Sequence, residues 1–290
     1  MNKKASAISH GAITVINAIA AGLGSAIGID LWTRAEVEIL TEEKYISNIS
    51  GYEEADTSLI ENCVRKVFEK FNIKGCGAKI TTYSNIPIGK GLKSSSAAAN
   101  AVTLATVKAL NLNLSDIEII KIGVEAAIQS KVTITGAFDD AAASYFGGLV
   151  LTDNTKYQII FRKPFTKNVK AVLLIPEQKT STRTVESINK TKLIGKLIPH
   201  IADLVRKDMV EDAMSFNGFL YGACYNTPTE ALFKAFEAGA TGVSVSGTGP
   251  TIAALIDEEK VNLLKKAWSG FKGEIRVTNI NNSKANAAII

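Results

Sequence analysis

Along the first forty residues the apolar positions gather into two runs rich in branched side chains, 12–20 and 26–40. In the second, Val37 and Ile39 alternate with Glu36 and Glu38, a period of two that predicts a half-exposed strand. The period then changes. From Ser58 onward Leu59, Ile60, Cys63, Val64, Val67, Phe68 and Phe71 recur at helical spacing, and Ser58-x-x-Glu61 predicts a capping box. Gly75 and Gly77 close that helix, and 78–84 predicts another strand. An Ala- and Ser-rich run over 94–110 predicts a helix, because alanine is the best helix former. A second capping box, Ser115-x-x-Glu118, opens a helix to about Gln129. A short helix over 139–145 and an antiparallel pair, 147–152 with 156–161, complete the first half.

The pattern pauses around Lys163-Pro164, and a clean apolar strand at 169–175 begins a second unit. Helices are expected at 191–206, 209–224 and 228–238, the last opened by Thr227-Pro228-Thr229-Glu230, a cap, a first-turn proline and a capping glutamate. Strands at 241–246 and 251–256 flank a turn at Ser246–Pro250; a helix at 258–268 and a strand at 274–280 follow. Helices mixed with mainly antiparallel strands predict an α+β fold. A chain of 290 residues accommodates two domains, expected at 1–164 and 165–290.

Composition narrows the function. With 46% apolar and 21% charged residues, the chain has ample core material. Its net charge of +5 is spread without a run of five basic residues, which argues against a nucleic-acid partner and suits small anionic ligands. Cys63, Cys76 and Cys224 are odd in number, far apart and without a CxxC pair, so neither a disulfide framework nor a thiolate metal site is expected. His10 and His200 cannot supply a histidine-rich metal site. Residues 1–11 lack a signal-peptide pattern, and the glycine density over 11–31 speaks against a membrane helix. A cytoplasmic protein with no membrane partner is therefore expected; the oligomeric state is not legible.

Three glycine-rich stretches carry candidate chemistry. Gly22-Leu23-Gly24-Ser25-Ala26-Ile27-Gly28 hints at a dinucleotide loop, but that motif needs a helix to follow, and a strand follows here. A hairpin turn is expected instead. The second stretch, Pro87-Ile88-Gly89-Lys90-Gly91-Leu92-Lys93-Ser94-Ser95-Ser96-Ala97, joins a strand to a helix. Backbone N–H groups and a positive helix end then converge on one point, a good site for phosphate. It is not a Walker loop, because neither Gly89-Lys90 nor Gly195-Lys196 is followed by Ser or Thr. The third stretch, Ser246-Gly247-Thr248-Gly249-Pro250, lies between two strands.

The order P-x-x-x-G-L-x-S-S-x-A resembles the phosphate loop of the GHMP kinases, with Lys93 standing where that family usually has Gly or Ser. The resemblance extends to the third stretch and, between the two, to Thr135-Gly136-Ala137-Phe138-Asp139-Asp140, similar to the acidic element of those enzymes. It implies a two-domain fold, with an N-terminal domain like the second domain of a small-subunit ribosomal protein and a ferredoxin-like C-terminal domain. It implies ATP as co-substrate, held by Pro87, Gly89, Lys90, Gly91, Leu92, Ser94, Ser95, Ser96 and Ala97 and by Gly247, Thr248 and Gly249. Asp139 becomes the group that orients an acceptor hydroxyl and takes its proton, with Asp140 the second choice. A Mg²⁺ ion would neutralise the β- and γ-phosphates, with Ser95 and Glu125 its candidate ligands.

Within the family the run His10–Ala20 and the T-G-A-x-D-D-A form are most similar to the archaeal-type shikimate kinases. That likeness implies shikimate as acceptor. Its carboxylate calls for a guanidinium, for which Arg183 is the candidate, and its hydroxyls for polar contacts, for which Thr14 and Asn17 are candidates. A homoserine kinase, a GHMP-fold decarboxylase and a non-catalytic binding protein of the same fold are the alternatives. Retained serines and acid count against the last of these.

Overall fold

The computed structural model describes residues 3–133, 136–177 and 185–290. The first half folds as β1 (Lys4–Ile16), β2 (Leu23–Leu40), β3 (Tyr45–Ile49), α1 (Ser58–Lys70), β4 (Gly77–Ser84), α2 (Ser94–Ala109), α3 (Asp116–Gln129), α4 (Phe138–Phe146), β5 (Leu149–Asp153) and β6 (Gln158–Lys163). The second half contributes β7 (Lys170–Ile175), α5 (Val185–Leu193), α6 (Ile198–Arg206), α7 (Val210–Tyr225), α8 (Thr229–Glu237), β8 (Gly242–Val245), β9 (Ile252–Ile256), α9 (Val261–Trp268), β10 (Glu274–Thr278) and β11 (Asn286–Ile289).

Two sheets organise these elements. The larger runs β11-β1-β2-β4-β3, and β5 with β6 joins it at the other half of β2. The 18 residues of β2 thus serve two neighbours on one edge: 23–27 pair with β5 and 33–40 with β4. The smaller sheet runs β10-β7-β9-β8 and is antiparallel throughout. The last strand, β11, returns to pair with β1, so the C-terminal residues belong to the first sheet. Among the described residues no helix is long and apolar enough to cross a membrane.

Burial follows from the side-chain periods. Along β7, Ala171, Leu173 and Ile175 face α6 and α7, while Val172 and Leu174 face α8 and α9. Both faces of that strand are covered, which is why its sequence is an unbroken apolar run. Helix α1 packs Leu59, Ile60, Cys63, Val64 and Phe68 against Val37, Ile80 and the small side chains of α2. The alanines of α2 permit this close approach: a Cβ at Gly123 of α3 would lie 3.3 Å from that of Ala99.

Several local expectations need correction. The hairpin turn expected across Gly22–Gly28 lies earlier, because a 3-10 turn at Ala18–Ala20 reverses the chain. Gly24 and Gly28 sit inside β2, where other groups come too close for a side chain; at Gly28 a Cβ would meet the Asn281 carbonyl and Gly147 Cα at 2.8 Å. The capping box at Ser58 does not form. Ser58 is already helical, its N–H and hydroxyl donate to Asp56, and the Thr57 hydroxyl donates to Glu61. At Ser115 the box forms in full. Pro228, not Thr227, is the N-cap of α8. Strands β3 and β11 were not anticipated, being short segments at sheet edges without a fully buried side chain.

Candidate active site

The candidate phosphate loop follows β4 and ends at the N-terminus of α2. Gly89, Gly91 and Lys93 have φ of 70°, 80° and 67°, so three left-handed residues within five curl the backbone. Glycine adopts that region freely; a lysine there costs about 1–3 kcal/mol. Leu92 anchors the curl in the core. Ser94 and Ser96 are partly exposed and Ser95 exposed on the first turn of α2, so hydroxyls and backbone amides face outward where an anion can reach them.

The third glycine-rich stretch lies directly on this loop. The Ser246 hydroxyl donates to the Gly91 carbonyl at 2.8 Å, and a Cβ at Gly91 would collide with the Ser246 carbonyl. From β1, Thr14 accepts from the Gly247 amide at 2.8 Å, and Asn17 Nδ2 donates to the Gly247 carbonyl at 2.8 Å. Asn17 is held in turn by Asn217 and by the Tyr221 hydroxyl, which donates to the Asn17 carbonyl at 2.7 Å. The loop and the turn, 155 residues apart in sequence, therefore form one surface.

The acid pair opens α4. Asp139 is 4% exposed, and its carboxylate accepts from Asn154 Nδ2 at 2.7 Å, while its amide donates to Asn154 Oδ1 at 3.1 Å. Thr152 steadies Asn154 through a further bond of 2.7 Å. Gly24 makes room for this carboxylate: a Cβ there would lie 2.5 Å from Asp139 Cγ. Burial, and after it the neighbouring Asp140 charge, push the Asp139 carboxyl up to about 7; Lys93 and the Asn154 bond oppose the shift. A carboxyl poised near neutrality in a polar recess can orient a hydroxyl and accept its proton.

Lys93 connects the two halves of the site. Its Nζ donates to Thr14 Oγ1 at 2.7 Å and pairs with Asp140 Oδ1 at 2.9 Å, with only 2% of the side chain exposed. Phosphate loop, first strand, glycine-rich turn and acidic helix all meet at this ammonium. Sequence reasoning marked Lys93 only as a departure from the family pattern, and that departure was the available signal. Asn154 was missed because Asp153-Asn154-Thr155 has the composition of an ordinary turn.

Other candidates are redirected. Glu125 is exposed on α3 and shares a cavity of about 400 Å³ with Lys66, Glu69, Lys70, Glu118, Lys121 and Ile122. This groove between α1 and α3 is lined by residues of both helices. Thr14 and Asn17 are buried and bonded to Lys93, Gly247 and Ile19, so they brace the turn. Arg183, like Thr135, lies outside the described residues. Lys90 donates to the carbonyls of Pro176 and Glu177 at 2.6 and 2.8 Å, tying the phosphate loop to the end of β7.

A curled glycine loop at a helix N-terminus, covered by a second glycine turn and tied by Lys93 to an acid pair of which Asp139 is buried, is the arrangement of a phosphotransferase. Residues 58–148 match the profile of the GHMP kinases N terminal domain and residues 191–274 that of the GHMP kinases C terminal region; the chain belongs to the GHMP kinase family. It is 45% identical to the shikimate kinase of Methanosarcina acetivorans, over 96% of this chain and 95% of that one. To the shikimate kinase of Pyrococcus furiosus it is 40% identical, over 92% and 96%. The fold is shared with the mevalonate kinase of Methanococcus jannaschii (20% identity, TM-score 0.79, 96% and 98% covered). It is shared too with the galactokinase of Lactococcus lactis (14% identity, TM-score 0.80, 98% and 95% covered).

Proposed function

We propose that this protein transfers the γ-phosphoryl group of ATP to the 3-hydroxyl of shikimate, giving ADP and shikimate 3-phosphate, with two domains (1–164 and 165–290) sharing the site. One observation carries the reading: the Lys93 ammonium, from the loop at the α2 N-terminus, pairs with Asp140 at the start of α4, next to the buried Asp139. The near-full-length likeness to proteins named shikimate kinase supports the choice of acceptor.

In this reading the amides and hydroxyls of 89–97 hold the triphosphate, and Gly247–Gly249 close over it. Asp139, fixed by Asn154, holds the acceptor hydroxyl; as the oxygen attacks phosphorus, the bond to the ADP oxygen breaks and the hydroxyl proton passes to Asp139. Ser95, exposed on the first turn of α2, carries a hard oxygen donor of the kind Mg²⁺ takes and would be the residue to hold it. Bound there, the ion would offset charge on the β- and γ-phosphates. Arg183 stays the candidate for the shikimate carboxylate, on a segment whose approach Lys90 anchors.

ADP release assayed with shikimate, homoserine, mevalonate and galactose tests this. Mg²⁺-dependent release with shikimate alone is expected. Turnover with homoserine and none with shikimate would reassign the acceptor, and turnover with no hydroxyl acceptor at all would refute the kinase reading.

A further inference from the structure

Lys93 pays two penalties at this position: a left-handed backbone, which Gly would avoid, and a buried charge, which either Gly or Ser would avoid. Its backbone is left-handed, with φ of 67°, a region disfavoured for any residue with a Cβ. Its ammonium is withdrawn from water, which disfavours the charged form of a lysine unless partners compensate. If the only task were to bolt β1 to α4, a neutral hydrogen-bonding side chain would serve with less desolvation. Placement supplies a reason for a charge. The ammonium, carried by the residue just before α2, is bonded to Thr14 Oγ1 and Asp140 Oδ1 and comes within 3.2 Å of where a Gly247 side chain would begin. Two of its three N–H donors are used by these partners, and a lysine has a third.

Resting on the kinase reading above, we propose that Lys93 is a catalytic residue of the phosphoryl transfer: its ammonium meets the phosphoryl group as that group passes from the α2 N-terminus to the hydroxyl held by Asp139. During the step the bond from phosphorus to the ADP oxygen breaks and a bond to the acceptor oxygen forms. The hydroxyl proton goes to Asp139, and Lys93 keeps its protons while offsetting charge on the three oxygens in flight. Its second task falls on the acids. Among the described residues, the charged and titratable groups acting on Asp139 include Asp140 on the same helix, Lys93 from the candidate phosphate loop, and Tyr221 from α7. Lys93 is the cation among them, so it favours ionised Asp139 against burial and against Asp140.

The test uses Lys93→Met, which keeps the length and loses the charge, Lys93→Arg, and Lys93→Ser, which restores a residue usual in the family. Wild-type turnover with shikimate is the control: its failure sinks the kinase reading independently of Lys93. With the control sound, Lys93→Met and Lys93→Ser should bind ADP within about threefold of wild type and lose kcat by about a hundredfold or more. The acid limb of their kcat/KM profile should move to higher pH, and Lys93→Arg should recover at least about tenfold of the loss. Should Lys93→Met fail to fold, Lys93→Ser carries the test, since it removes the buried charge and leaves only a small side chain in the core. A kcat within about tenfold of wild type in either neutral variant overturns the proposal. So does a loss that follows the unfolded fraction with an unmoved pH profile.

Discussion

Gly24→Ala places one methyl group against the acid and changes little else. Gly24 lies in β2, paired with Thr152 of β5, and needs no left-handed backbone, so alanine meets no backbone strain there. Its Cβ would stand 2.5 Å from Asp139 Cγ and Oδ2 and 2.7 Å from Asp139 Cβ, against an ordinary contact of 3.4 Å or more. The carboxylate must therefore retreat by about 1 Å, and Asn154, bonded at 2.7 Å, must follow or let go. A misplacement of that size at a reacting group costs roughly a hundredfold in rate, about 2.7 kcal/mol of activation free energy. Steady-state ADP release with shikimate should show kcat down by about that factor, while calorimetric ADP affinity stays within about twofold, because the phosphate loop is untouched. A kcat within about threefold of wild type would refute the placement of Asp139 at the reacting hydroxyl. Unchanged kcat with a raised KM for shikimate would refute it too, assigning Asp139 to ground-state binding alone.

Asp139→Asn should keep ADP binding and lose turnover by about a thousandfold, and it should also change stability with a definite sign. Folding raises this carboxyl from 3.8 to about 7, so the folded chain keeps a proton that the unfolded chain releases between those values. Stability from this group is undiminished below pH 4 and falls as pH rises towards 7. Asparagine should therefore raise Tm at pH 8 and leave it nearly unchanged at pH 4, by at most roughly 4 kcal/mol. A lower Tm at pH 8 would contradict the buried charge. In wild type, kcat/KM for shikimate should fall as pH drops below about 7, since Asp139 must be ionised to take the proton; a flat profile from pH 5 to 8 would count against it. Asn154→Ala should lower kcat by about ten- to a hundredfold and stability by about 1–3 kcal/mol, read by denaturant melts. Glu125→Gln should leave kcat and its Mg²⁺ dependence within about twofold; a tenfold rise in the Mg²⁺ requirement would restore Glu125 to the metal site.

The amphipathic and alternating segments were legible because their burial is one-sided: the α1 face from Leu59 to Phe68 and the buried run of β7 follow directly from side-chain periods. The curl and helix start of the candidate phosphate loop were legible too, since Gly89, Gly91 and the serines encode them locally. Long-range relations were not. Gly24 reads as a turn glycine until Asp139, 115 residues on, is seen to fill the space where its side chain would be. Thr14 and Asn17 read as polar groups free to bind, but their partners lie in the Ser246–Pro250 turn. Glu125 reads from sequence only as a glutamate on the helix before the acidic element, and its place beside Lys66 and Lys70 of α1 is a relation between helices that no local pattern encodes. The edge strands β3 and β11 carry too few buried side chains to leave a period.

A crystal grown with a non-hydrolysable ATP analogue, Mg²⁺ and shikimate tests the shared site most directly. The γ-phosphate should rest at the α2 N-terminus beside Lys93, with one shikimate hydroxyl on Asp139 and its oxygen about 3–3.5 Å from the γ-phosphorus. A triphosphate bound away from 89–97, or an acceptor whose hydroxyls do not reach Asp139, would contradict it.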